Sequence, residues 1–339
     1  MPAPTKAASR TQHASTLSPR QRLRRLGLLG ASLALELVVV VYVGASIMAA
    51  MGLMAPNSNP VPINQTPAAL GLLYKTVGFP SRTDHLLIRA WLMPGLLPDG
   101  KQTLQRTIIV VHGVPGNRSD SLVLRVSAAL VQHGFAALAL DLRGNGESAP
   151  APRSLGEFEQ RDILGAVDFL QNGALPFPQL GRPRVIGGWG MSLGASTLLL
   201  AAAADPALRA IISDSAFADA VALVHSRWEQ QGLPSLVLPG ALLAGQLLYG
   251  VNFDQARPVA VVAQIAPRPI LFIHGTADTS VPIANMDELV AAASRPPNAH
   301  VQAWKVPGAQ HVQAFSLMPE AYLQRIIAFF QNALGPASN

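Results

Sequence analysis

Apolar residues run almost unbroken from Leu26 to Met54, then give way to short apolar runs separated by longer mixed ones. A helix rises about 1.5 Å per residue, so the first run is long enough to cross a hydrocarbon core of roughly 30 Å. It predicts one transmembrane helix over residues 26–54. Beyond it, β-rich runs alternate with helical ones, the pattern of a mainly parallel sheet covered by helices on both faces. Strands are expected at Tyr74 to Phe79, Leu86 to Leu92, Thr107 to Val111, Ala136 to Leu140 and Arg184 to Gly188. Later strands are expected near Ala210 to Ser213, Pro269 to Ile273 and Val301 to Val306. Helices are expected at Ser121 to His133, Leu155 to Gln171, after Gly194 to about Ala204, and at Pro319 to Asn332.

Two stretches break the alternation. Residues 55–69 hold Pro56, Pro60, Pro62 and Pro67 among polar residues, and read as an extended tether before a body at 70–339. Asn64-Gln65-Thr66 in the tether is a glycosylation sequon, meaningful only in a eukaryotic secretory setting. The apolar, Leu- and Gly-rich insertion 216–266 follows a strand end, where ligands enter open α/β sheets. It reads either as a lid or as an ordinary crossover helix with a long connection.

Charge sharpens the first segment. Six of the 25 Lys and Arg residues, Lys6, Arg10, Arg20, Arg22, Arg24 and Arg25, and one of the 19 acids, Glu36, precede Pro56. The rest of the chain carries 19 cations against 18 anions, a near-neutral body that argues against a nucleic-acid partner. The basic segment 1–25 places the N-terminus in the cytoplasm and the body on the other side of the membrane. A cleaved signal peptide is the competing reading, with small residues at Ala45, Ser46, Ala49 and Ala50. Its apolar region would far exceed the usual ~7–15 residues, so an uncleaved anchor is favoured. Glu36 is expected either at the cytoplasmic interface or protonated. The sequence has no cysteine, which suits an exported domain but establishes no compartment.

Gly190-Met191-Ser192-Leu193-Gly194 is a G-x-S-x-G between an apolar strand and an Ala/Leu-rich helix. A strand, a sharp turn and a helix lift a hydroxyl to the sheet edge, where a base can reach it. Serine is a weak nucleophile until a base takes its proton, so an acid and a histidine are sought elsewhere. Asp278, in His274 to Pro282, and His311, in Pro307-Gly308-Ala309-Gln310-His311, both follow strands. Asp214 also ends a strand and competes for the acid's place. His112 and His274 are expected to brace turns, His133 to sit at a helix C-terminus, and His225 to lie on the surface. Gly188, Gly190 and Gly194 also suggest a dinucleotide turn, with Asp214 about twenty residues on. That spacing is G-x-G-x-x-x-G, and the reading leaves Asp278 and His311 unexplained. No metal-ligand spacing is present, and no cofactor is expected.

Over about Leu70 to Gln331 the chain resembles the α/β-hydrolase family, in its peptidase-like and lysophospholipase-like branches. The matching pieces are His112-Gly113, Asp141 to Ser148, the serine turn, His274 to Pro282 and Gly308 to His311. The resemblance implies Ser192 as nucleophile, His311 as general base then acid, and Asp278 as its orienting carboxylate. It further implies the amides of Leu193 and Val114 as an oxyanion hole. The expected protein is a membrane-anchored serine hydrolase acting on a small-molecule or peptide acyl substrate, an ester, thioester or amide. Lipid-like acyl groups are suggested by the apolar insertion beside a membrane. A catalytically silent binding protein and an acyltransferase are the alternatives.

Overall fold

The computed structural model describes residues 18–335, so Lys6 and Arg10 lie outside the described residues. Helix α1 (Pro19–Met54) begins seven residues before the apolar run. A capping box explains the early start: the Gln21 N–H donates to Ser18 Oγ at 3.3 Å, and the Ser18 N–H donates to Gln21 Oε1 at 3.0 Å. Large apolar side chains from Leu23 to Val43 are exposed all round the helix. Among the described residues α1 is the one helix long and apolar enough to cross a membrane. Within it, Ser32 donates to Glu36 one turn on, at 3.2 Å.

The last three turns of α1 behave differently. Ser46, Ala50 and Met54, four residues apart, form a buried stripe. Arg153 ties down the helix end, its backbone N–H donating to Met54 O at 2.9 Å and its guanidinium to Gly52 O at 2.6 Å and Ala55 O at 3.1 Å. A cation there also suits the negative end of the helix dipole.

Residues 56–66 form no helix or strand. They are nonetheless held to the body, because Asn117 Nδ2 donates to Val61 O at 2.7 Å and Gln65 Nε2 donates to Ser119 O at 3.1 Å.

The sheet has eight strands: β1 (Lys75–Pro80), β2 (Leu87–Met93), β3 (Arg106–Val111), β4 (Ala136–Leu140), β5 (Val185–Met191), β6 (Leu208–Asp214), β7 (Ile270–Gly275) and β8 (Val301–Val306). Their spatial order is β1-β2-β4-β3-β5-β6-β7-β8. β2 runs antiparallel to β1 and β4, and the remaining neighbours are parallel. Every residue of β3 and β4 is buried, as expected for strands covered on both faces. Helices α2 (Ser121–Gln132), α3 (Gln160–Asn172) and α4 (Leu193–Ala204) connect the central strands.

Helix α3 starts at Gln160 rather than Leu155. The Glu159 carboxylate accepts from the backbone N–H groups of Ser154 and Gly156 at 3.0 and 2.8 Å, winding residues 154–159 into a turn. Leu155 and Gly156 accordingly have φ of 53° and 110°. Residues 216–266 form two main helices, α5 (Ala220–Gln230) and α6 (Val237–Tyr249), and short turns. Helices α7 (Ala284–Ala293), absent from the sequence expectation, and α8 (Pro319–Leu334) complete the layers.

Helix α6 receives the docked end of α1. A Cβ placed on Gly240 would collide with Ser46 and Tyr42, and one on Gly245 with Met54. Small residues thus let the two helix backbones approach closely, as in membrane helix pairs.

Candidate active site

Strand β5 ends at Met191, and Ser192 occupies the next position with φ 53° and ψ −124° before α4 begins. Such strain persists only where the surroundings impose it. The Ser192 N–H donates to Asp214 O at 2.8 Å, extending the β5–β6 ladder into the turn. The flanking glycines are sterically required: a Cβ on Gly190 would meet the Gly194 carbonyl at 2.6 Å, and one on Gly194 would overlap the His112 carbonyl.

The structure brings Ser192, His311 and Asp278 together. His311 follows β8, and its Nε2 lies 2.8 Å from Ser192 Oγ. Its Nδ1 lies 2.7 Å from Asp278 Oδ2, on the loop after β7. A carboxylate only accepts, so Nδ1 carries the proton and Nε2 is free to accept from the serine hydroxyl. Asp278 Oδ1 accepts from the N–H groups of Ser280 and Val281, each at 2.9 Å. Burial alone would raise its pKa, but hydrogen bonds from His274, His311 and Val281 outweigh that and hold it well below the usual carboxylate range.

Asp214 is not placed to orient His311. Its buried carboxylate accepts from Tyr322 Oη at 2.6 Å and Ser215 Oγ at 2.8 Å. Burial raises its pKa despite those bonds. Ser215 Oγ in turn accepts from the Val312 N–H at 3.2 Å, so Asp214 supports the loop carrying His311 from behind. Nothing in the sequence pointed to Tyr322, which reaches Asp214 from α8.

The other histidines are structural. Buried His112 donates from Nδ1 to Gly113 O at 2.6 Å and accepts at Nε2 from the Leu142 N–H at 3.0 Å. Burial lowers its pKa, keeping it neutral. It thereby fixes the loop holding Gly113 and Val114 against Ser192, where a Cβ on Gly113 would lie 3.0 Å from Ser192 Cβ. Arg118, paired with Asp141 and Glu147 and stacked over Trp91, braces the same loop. His274 donates to Val281 O at 2.7 Å, and His133 to Ala129 O at 2.7 Å at the end of α2. His225 is exposed on α5.

Leu193 is the first residue of α4, so its N–H has no intrahelical acceptor and lies beside Ser192. A cleft of about 330 Å³ contains Ser192 and His311 and is bordered by Gly113, Val114 and Phe315. A larger cavity of about 1070 Å³ lies by Arg106 and His133, at the N-terminal ends of the strands and away from this chemistry. Among the described residues, no group of three His, Asp or Glu side chains could hold a metal.

A mainly parallel sheet in this strand order, with a serine turn after β5 and acid and histidine after β7 and β8, defines an α/β-hydrolase of the serine hydrolase class. Residues 123–337 match the prolyl oligopeptidase family, peptidase family S9, and the chain belongs to it. It is 28% identical over 260 residues to the uncharacterized protein YfhR of Salmonella typhimurium, covering 74% of this chain and 80% of that one. It is 29% identical over 231 residues to the uncharacterized protein YqkD of Bacillus subtilis, covering 67% and 71%. Its fold is similar to that of the Pyrococcus furiosus esterase Pf2001, with a TM-score of 0.65 and 23% identity over 82% of this chain and 100% of that chain. Est1E of Butyrivibrio proteoclasticus, solved with ferulic acid, has a TM-score of 0.57 at 18% identity, covering 77% and 99%.

Proposed function

We propose that the protein is a membrane-anchored serine hydrolase that cleaves an ester, thioester or amide through an acyl-enzyme on Ser192. The observation that carries this reading is the continuous Ser192–His311–Asp278 hydrogen-bond chain, at 2.8 and 2.7 Å. Ser192 Oγ attacks the acyl carbon while His311 Nε2 takes its proton. His311 then gives that proton to the leaving group as the acyl–heteroatom bond breaks. Water, deprotonated by His311, attacks the acyl-enzyme and releases the acid, restoring the serine. The amides of Leu193 and Val114 hold the developing oxyanion, each worth about 3–4 kcal/mol in the transition state.

Helix α1 is the anchor, with the basic segment cytoplasmic and the hydrolase body on the opposite side. A fluorophosphonate probe tests the chemistry. It is expected to label the full-length protein on Ser192 and not to label Ser192→Ala; absence of labelling of the folded wild-type protein would refute the reading.

A further inference from the structure

A cavity of about 810 Å³ lies between the docked end of α1 and helices α5 and α6. That size falls within the roughly 300–1,000 Å³ typical of small-ligand sites. One wall is α1 itself, through Ala45, Met48, Ala49, Gly52 and Leu53. Trp228, Val237 and Phe253 contribute apolar surface from the body, and Arg153, Arg227 and Gln231 supply its charged and amide side chains. Val114 borders both this cavity and the cleft holding Ser192 and His311. Its side chain, 40% exposed, therefore stands where an acyl carbon at Ser192 and an acyl tail in the cavity would meet.

The position of the bilayer gives the cavity its occupant. A span needs about 20 residues, and counted from Arg25 it ends near Ala45, where the α1 wall begins. Beside that wall, Leu236 at the N-cap of α6 and Leu247 within the helix are 74% and 77% exposed, and Leu243 and Leu248 are also exposed. Exposed leucines beside a helix long enough to span a bilayer suit contact with lipid, a placement that puts the cavity mouth at the outer acyl–headgroup boundary.

We propose that this cavity is the acyl-chain site of the hydrolase, that α1 forms one side of it, and that the substrate is a single-chain fatty acyl ester entering from the membrane. The proposal rests on the hydrolase reading of Ser192. The tail lies along α1, the carbonyl passes Val114 to Ser192, and the polar alcohol leaves toward solvent.

Filling the α1 wall tests it. Gly52 and Ala45 both line the α1 side of the cavity, and a Cβ on Gly52 meets nothing within 4 Å, so Gly52→Leu and Ala45→Phe each add bulk to that wall. Full-length protein in nanodiscs is assayed on 4-nitrophenyl butyrate and 4-nitrophenyl laurate. Both variants are expected to lose roughly tenfold or more in kcat/KM on laurate and to stay within about twofold on butyrate. An equal fall on both esters, an unchanged laurate rate, or a wild-type enzyme that cleaves butyrate but not laurate would overturn the proposal. Fluorophosphonate labelling, run in parallel, distinguishes this from failure of the hydrolase reading, in which the wild-type protein is not labelled. A long-chain fluorophosphonate with a terminal diazirine makes the test independent of variant folding. On the wild-type protein its crosslinks are expected in residues 42–54, and crosslinks confined to other segments would refute the proposal.

Discussion

Met54, the last residue of α1, packs so closely over Gly245 of α6 that a side chain at Gly245 has no room. The pair joins the long apolar helix to the insertion 216–266, and it makes the helix pairing depend on one missing Cβ. Gly245→Leu is therefore expected to separate the two helices and to cost about 1–3 kcal/mol of stability. Hydrogen exchange of α6 in nanodiscs would read this as faster exchange, with fluorophosphonate labelling of Ser192 retained.

The two carboxylates near His311 should separate by function. Asp278→Asn removes the acceptor that holds His311 in its productive tautomer, and kcat is expected to fall on the order of 10⁴-fold. Asp214→Asn keeps an acceptor for only one of Tyr322 and Ser215 and leaves His311's own partners in place, so its main effect should be a lower melting temperature with a much smaller fall in kcat. Steady-state kinetics and thermal melts of the two variants check the contrast.

His112 predicts a pH dependence of stability. Burial lowers its pKa in the folded protein, so the unfolded chain binds more protons below the ordinary imidazole value of about 6.5. Its contribution is complete above that value and is lost as pH falls toward the lower folded pKa, with a slope of up to about 1.4 kcal/mol per pH unit. His112→Gln keeps a donor and an acceptor without a titrating ring. Urea unfolding of wild type and variant should show this slope in the wild-type protein alone.

Topology is tested by protease added to right-side-out vesicles. The body beyond Pro56 is expected to be cut, and complete protection would reverse the proposed orientation.

Arg153 links the body to the last carbonyls of α1, so Arg153→Ala should loosen the helix end. Removing a charged donor from partly exposed carbonyls is expected to cost about 1–2 kcal/mol. Proteolysis within residues 56–66 should become faster, which a gel time course would show.

Much of the protein is legible along the chain because it is written in local patterns. Apolar length marks α1, alternating runs mark the strands, and glycines around Ser192 mark the turn whose backbone excludes larger residues. The tertiary structure decided what local pattern cannot. Asp214 ends β6 and Asp278 lies on the loop just after β7, and only the tertiary placement of these segments gives Asp278 to His311 and Asp214 to Tyr322. Helix α3 starts late because the Glu159 side chain captures a turn, a competition that its periodicity does not reveal. The α1–α6 contact joins residues nearly two hundred positions apart through missing side chains, and the cavity beside it is a shape, not a sequence. Such features come from packing whole elements together, so they exist only once the distant surfaces meet.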